Sequence, residues 1–149
     1  MKSEEIISFL PFEKPFLFVD GITSVSPDHI EGHYTFDKDA FFYRGHFKDF
    51  PITPGAILGE TMAQIGVVCL GIFLMKDELD DVLLPQAALT SSNLEYYLPV
   101  YPGELVIVKS EKIYFRFNKL KCHVKLYNAK NNLVCKGDIA GMLKVNKDE

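Results

Sequence analysis

Residues 56–75, AILGETMAQIGVVCLGIFLM, run for some twenty positions with Glu60 as their single charged side chain. A stretch of that length and apolarity has two destinations, a bilayer or the interior of a protein. Glu60 and Gln64, one turn apart near its start, would be stranded in hydrocarbon, and the segments on either side read as ordinary strands. The expectation is a helix buried on nearly all its faces inside a protein core, with no membrane span.

That helix needs a cover, and the rest of the chain supplies extended segments. FLFVD (16–20) reads as a buried strand, Pro27-Asp28 as a turn, and 29–36 as a second extended segment. Residues 37–53 carry aromatic clusters with glycine and proline and little periodicity, the composition of a pocket-lining loop. Thr53-Pro54 opens the helix, since a threonine oxygen caps free backbone donors and proline loses no bond at the first helical position. The helix is expected to end near Lys76 or Asp77. A polar DELDD stretch then leads to residues 83–89, and a second long extended region begins near Leu94.

Alternation is clear beyond that point. Ile113, Phe115 and Phe117 share one strand face, as do Leu120, Cys122, Val124 and Leu126, with Lys121, His123, Lys125 and Tyr127 opposite. Asn118-Lys119 and the 128–132 cluster mark hairpin turns, and 133–145 gives a last strand; His29, His33 and His123 read as exposed strand positions. Antiparallel strands around one apolar helix make an α+β arrangement. With 149 residues, 48% hydrophobic, the chain can bury one good core, so residues 1–149 are expected to form a single domain. A helix apolar all round has more surface than one curved sheet covers, which implies a homodimer or larger homo-oligomer.

Charge and cysteine content narrow the function classes. A net charge of −4 lacks the basic surplus of a nucleic-acid binder. Cys69, Cys122 and Cys135 are odd in number and show no ligand spacing, so neither a disulfide framework nor a zinc site is expected. The N-terminus MKSEEIISFLPF lacks the features of a secretory signal, and the expected location is a reducing cytoplasm.

Chemistry concentrates in residues 41–64, FFYRGHFKDFPITPGAILGETMAQ. A carboxylate in an apolar helix is costly unless protonated or paired, so Glu60 asks for a purpose, and Gln64 one turn on could orient it. The first amides of the helix, at Gly55 and Ala56, have no intrahelical acceptor and sit at the positive end of the helix dipole, where they could hold a carbonyl oxygen. Histidine accepts protons near neutrality, whereas a glutamate keeps one there only if burial raises its pKa. His46 and Glu60 therefore suit removal of a proton alpha to a carbonyl followed by loss of a protonated beta-hydroxyl.

These motifs resemble the beta-hydroxyacyl-acyl carrier protein dehydratases of type II fatty acid synthesis. The likeness spans LPFEKPFLFVD (10–20), RGHFKDFPITPGAILGETMAQ (44–64), the most specific, and LPVYPGELV (98–106). It implies a hot-dog fold, an antiparallel sheet wrapped around one long helix. It also implies dehydration of (3R)-hydroxyacyl chains carried on the phosphopantetheine of acyl carrier protein, without metal or cofactor. By resemblance His46 is the catalytic histidine, Glu60 the catalytic acid contributed by the other subunit of a dimer, Gly55 the thioester-polarising amide, and Gln64 a supporting glutamine. The chain departs from the family pattern at Phe12 and Phe50, where many members have histidine, at Lys48-Asp49 in place of Pro-Gly, and near Tyr97 and Leu98, where basic residues are usual. Those departures point to a specialised member, for an unusual acyl or polyene chain.

Plainer readings stand beside these. His46 as a structural histidine and Glu60 as an ion-pair partner of Arg44 or Lys48 are the plain accounts of the pair. The aromatics 41–43, Phe47 and Phe50 are either core filling or an acyl-tunnel lining, with Phe47 and Phe50 assigned to the tunnel. A hot-dog thioesterase or a non-catalytic partner subunit are the rival functions.

Overall fold

In a computed structural model, residues 1–80 and 85–145 are described. Positions 81–84, which include the start of the stretch 83–89, and 146–149 lie outside them. The apolar stretch forms one helix, α2 (Gly55–Leu74), long and apolar enough to cross a membrane yet mostly enclosed by protein. Six antiparallel strands wrap it: β1 (Gly21–Val25), β2 (His29–Thr35), β3 (Gln86–Tyr96), β4 (Leu105–Arg116), β5 (Lys119–Asn128) and β6 (Leu133–Lys144). Their order in the sheet is β1-β2-β4-β5-β6-β3. The chain's third strand therefore becomes an edge strand, hydrogen-bonded to the last.

Burial follows the sequence pattern where strands face the helix. Leu120, Cys122, Val124 and Leu126 of β5 are fully buried against α2 residues such as Ile65, Cys69 and Ile72, in one continuous apolar cluster. Midway, α2 widens to a π-helix over Gln64–Cys69 and resumes as α-helix over Leu70–Leu74. In the widened stretch the Ser110 hydroxyl of β4 donates to the Gly66 carbonyl at 2.8 Å, tying sheet to helix. A turn of π-helix inside an α-helix often marks a functional position, and this one begins at Gln64.

Several local expectations give way to tertiary demands. Residues 16–20 form no strand: a side chain answers two of their backbone groups, the Phe18 amide donating to Gln64 Oε1 at 2.8 Å and Gln64 Nε2 donating to the Phe16 carbonyl at 3.0 Å, and the Asp20 amide donates to the His33 carbonyl at 2.9 Å. Thr53 does not cap α2; its hydroxyl pairs with the Tyr43 hydroxyl at 2.6 Å, and Pro54 occupies the cap position. The β4–β5 turn is one residue earlier than expected, at Phe117 and Asn118, whose φ values of 52° and 61° fit a type I′ hairpin. Phe117 consequently stands 93% exposed instead of facing the core, and a register shift between Lys112 and Tyr114 half-exposes Ile113.

Strand β3 begins at Gln86, well before Leu94, and no alternation announced it because almost all of its side chains are exposed. His29, His33 and His123 are half-buried, contrary to the exposed reading, and two of them are bonded: His29 to the Ser24 and Ser26 hydroxyls at 2.8 and 2.9 Å, His123 to Asp138 at 2.8 Å. A short helix, α1 (Ser3–Ser8), which the sequence did not announce, buries Ile6 under the sheet.

Candidate active site

The acid is held by its own helix. Glu60 sits on the second turn of α2, half-buried, and Gln64 Nε2 donates to its Oε2 at 2.9 Å. Gln64 is fully buried, and all its polar capacity that the chain uses is spent on three contacts: Glu60, the Phe16 carbonyl and the Phe18 amide. One glutamine thus fixes the carboxyl and the extended 16–18 segment together. Burial raises the Glu60 pKa above the ordinary carboxylate value, with the Gln64 bond opposing in part. Neither Arg44 nor Lys48 makes an ion pair with Glu60 among the described residues, so the surface ion-pair reading is set aside.

Glu60 opens on two small cavities that share it with Ala63 and Leu89. One, of about 190 Å³, is apolar and runs along the helix past Val67 and Val68, walled by Phe12, Phe16 and Met142. The other, of about 140 Å³, lies toward the helix start, beside Ala56, Gly59, Leu94 and Tyr96. Phe12 and Phe16 are the wall the sequence reading missed. The only signal for them was their place in LPFEKPF, where Phe12 stands at a family histidine position.

At the helix start, Pro54 O accepts from the amides of Ile57 (2.9 Å) and Leu58 (3.1 Å). The Gly55 and Ala56 amides precede these and have no protein acceptor among the described residues. Ala56 is exposed.

The histidine occupies a different setting. His46 and Ile52 bracket a closed loop: the Ile52 amide donates to the His46 carbonyl at 2.9 Å, and His46 Nδ1 lies 3.1 Å from the Ile52 carbonyl. A carbonyl oxygen only accepts, so Nδ1 carries a proton in that contact, and in the neutral ring Nε2 is then the nitrogen with the lone pair. Within the bracket, Phe47 and Phe50 exchange backbone bonds of 3.0 and 3.2 Å. Phe47 stacks on the His46 ring at 4.2 Å, and Phe50 meets Tyr101 edge-on at 6.2 Å. The two residues are 55% and 61% exposed, and within one chain neither lines the cavities at Glu60.

The loop base is firm: Thr53 N donates to the Val100 carbonyl at 2.7 Å, and Tyr43 is buried. No described hydrogen bond, ion pair or ring contact joins His46 to Glu60 within the chain. The cysteines offer no nucleophile, since burial pushes the thiols of Cys122 and Cys135 up to about 11 and about 12 and that of Cys69 higher.

A FabA-like domain model matches residues 10–140. A 3-hydroxyacyl-[acyl-carrier-protein] dehydratase FabZ from Petrotoga mobilis is 31% identical over 121 residues, 81% of this chain and 83% of that protein. The enzyme of the same name from Bacillus licheniformis is 32% identical, covering 78% of each. Among solved structures, the dehydratase heterocomplex ApeI:P from Xenorhabdus doucetiae aligns with a TM-score of 0.78 at 16% identity, over 97% of this chain and 93% of that one. A thioesterase from Haemophilus influenzae aligns at 0.60, also at 16% identity, over 87% and 82%. At those identities the structural matches speak to the hot-dog fold, which dehydratases and thioesterases share.

Proposed function

Because this chain belongs to the FabA-like family, we propose that it dehydrates 3-hydroxyacyl groups borne on acyl carrier protein to trans-2-enoyl groups, in the synthesis of a fatty acid or a related specialised chain. The observation that carries the reading is the half-buried Glu60, its proton affinity raised by burial and its carboxyl fixed by Gln64 at the mouth of an apolar cavity. Such a group holds its proton to higher pH than an exposed carboxyl does and is placed to deliver it to a leaving hydroxyl.

In this mechanism the thioester oxygen rests on the Gly55 and Ala56 amides, which stabilise the negative charge that develops there. His46 Nε2 takes the proton from C2, the C2–C3 double bond forms, and the C3–O bond breaks as Glu60 passes its proton to the hydroxyl, which leaves as water. The acyl chain beyond C3 lies in the cavity walled by Phe12, Phe16 and Met142. Afterwards His46 loses its proton and Glu60 regains one from solvent.

The reading includes a homodimer in which His46 of one copy faces Glu60 of the other. Two observations support it: β3 is an edge strand whose outer side is unpaired, and Phe47, Tyr96, Tyr97, Leu98 and Tyr101 are exposed around the helix start. The protein is read as one domain, cytoplasmic, in keeping with its three free buried thiols. Purified protein incubated with 3-hydroxyacyl thioesters, on carrier protein and on coenzyme A, tests the function by mass spectrometry. Loss of water that depends on His46 and Glu60 is the expected result; release of free acid would make the protein a thioesterase, and no turnover on either carrier would overturn the reading.

A further inference from the structure

Tyr96 ends strand β3 and reaches across to the first turn of α2, where its hydroxyl donates to the Gly55 carbonyl at 2.9 Å. Two glycines one turn apart make room for this approach. A Cβ at Gly55 would stand 3.3 Å from Tyr96 Cε1, and one at Gly59 would stand 3.1 Å from Leu94 Cδ1 and 3.3 Å from the Tyr96 hydroxyl. Tyr96 also walls the smaller cavity, together with Ala56, Gly59 and Glu60. The ring would pack against Gly55 without its oxygen, so packing there does not account for the bond that the hydroxyl gives the Gly55 carbonyl.

The Gly55 carbonyl and the Ala56 amide are opposite ends of one peptide unit. A hydrogen bond received by that carbonyl draws electron density toward the oxygen and strengthens the N–H at the other end as a donor. Resting on the reading above, in which the first amides of α2 hold the thioester oxygen, we propose that Tyr96 is a positioning residue for the dehydration. Acting through the Gly55 carbonyl, it fixes the place of the Ala56 N–H and raises its strength as a donor to the developing enolate oxygen. Because Tyr96 belongs to the edge strand, it also ties that donor to β3, the strand on which the proposed dimer is built.

The test uses Tyr96→Phe, which removes the hydroxyl and leaves the ring. In the active protein kcat should fall about three- to tenfold with KM changed less than about twofold, as expected for a contact that matters more in the transition state than in the ground state. The second readout is the infrared band of a 3-hydroxyacyl pantetheine thioester labelled with carbon-13 at the carbonyl, bound to Glu60→Gln protein so that it does not turn over. The band should lie below its free position in Glu60→Gln and return part of the way in the Glu60→Gln/Tyr96→Phe double variant. Identical bands in the two proteins would overturn the proposal even if kcat fell, because the tyrosine would then be structural only; so would an unchanged kcat. Failure of the functional reading is distinguishable: unmodified protein would release no water from any thioester, while the band comparison would still report on Tyr96.

Discussion

Glu60 and His46 sit at opposite extremes of preparation. The acid stands on a helix buried on every side over residues 61–72, its carboxyl bonded to a glutamine that is itself fully bonded. The histidine stands on a loop whose base is anchored by Thr53 and Tyr43 but whose tip presents Phe47 and Phe50 to solvent. One half of the proposed site is finished by folding alone. The other half carries an imidazole that lines neither cavity at Glu60 within the chain, the arrangement expected if a second copy completes the proposed site.

The sharpest way to break that contrast is to remove each partner. Glu60→Gln and His46→Ala are each expected to lower turnover by about 10²- to 10⁴-fold while circular dichroism stays native. Mixing the two inactive proteins under conditions of subunit exchange should restore about a quarter of native activity, since random pairing makes half the dimers mixed and each mixed dimer holds one intact site. No recovery would place acid and base in the same chain.

Gln64→Leu probes the finished half. It would orphan the Phe18 amide and the Phe16 carbonyl, at about 1–3 kcal/mol each if they stay buried, and thermal unfolding should show a clear loss. It also removes the bond that favours the Glu60 carboxylate, so the Glu60 pKa should rise further. An acid needed in its protonated form loses activity as pH climbs, and that alkaline limb of the pH–rate profile should therefore shift to higher pH.

Phe47→Ser probes the unfinished half. With the ring exposed in the single chain, unfolding of the monomer at low concentration should be nearly unchanged, whereas dimerisation measured by sedimentation should weaken about tenfold or more. Equal dimerisation would remove the loop from the interface.

The smallest effect concerns Glu60 and pH. Its folded pKa is raised above the unfolded value, so ionising it on the way to high pH costs stability that is fully present below the unfolded pKa. Glu60→Gln should therefore melt slightly above the native protein at pH 8, and the difference should shrink as pH falls toward 4.

What was legible in the sequence was whatever rested on periodicity or on the cost of burying charge. The core helix, the alternation of β5, the hairpin at 128–132 and the Glu60–Gln64 pair each follow from a local pattern that has one inexpensive solution. Errors gathered where a distant group changed that solution. Residues 16–20 have the composition of a strand, but the Gln64 side chain takes the Phe16 carbonyl and the Phe18 amide, and only the Asp20 amide reaches a strand, at His33. Thr53 is a good cap until the Tyr43 hydroxyl claims its oxygen. Strand β3 gave no alternation because an edge strand with solvent on most of its side chains has no apolar face to display.

The sequence by itself determined that a helix with one carboxyl would be wrapped by antiparallel strands and that Glu60 would be a group to watch, because hydrophobic burial and charge desolvation act on any chain with this pattern; His46 stood out through the resemblance of residues 44–64 to the dehydratase motif. Only the tertiary structure decided which groups meet: Gln64 with residues 16–18, Phe12 and Phe16 with the cavity at Glu60, Tyr96 with the Gly55 carbonyl. Those meetings join residues more than forty positions apart, as with Phe16 and Gln64 or Gly55 and Tyr96. They depend on strand order and on where the helix widens, and no local pattern encodes either.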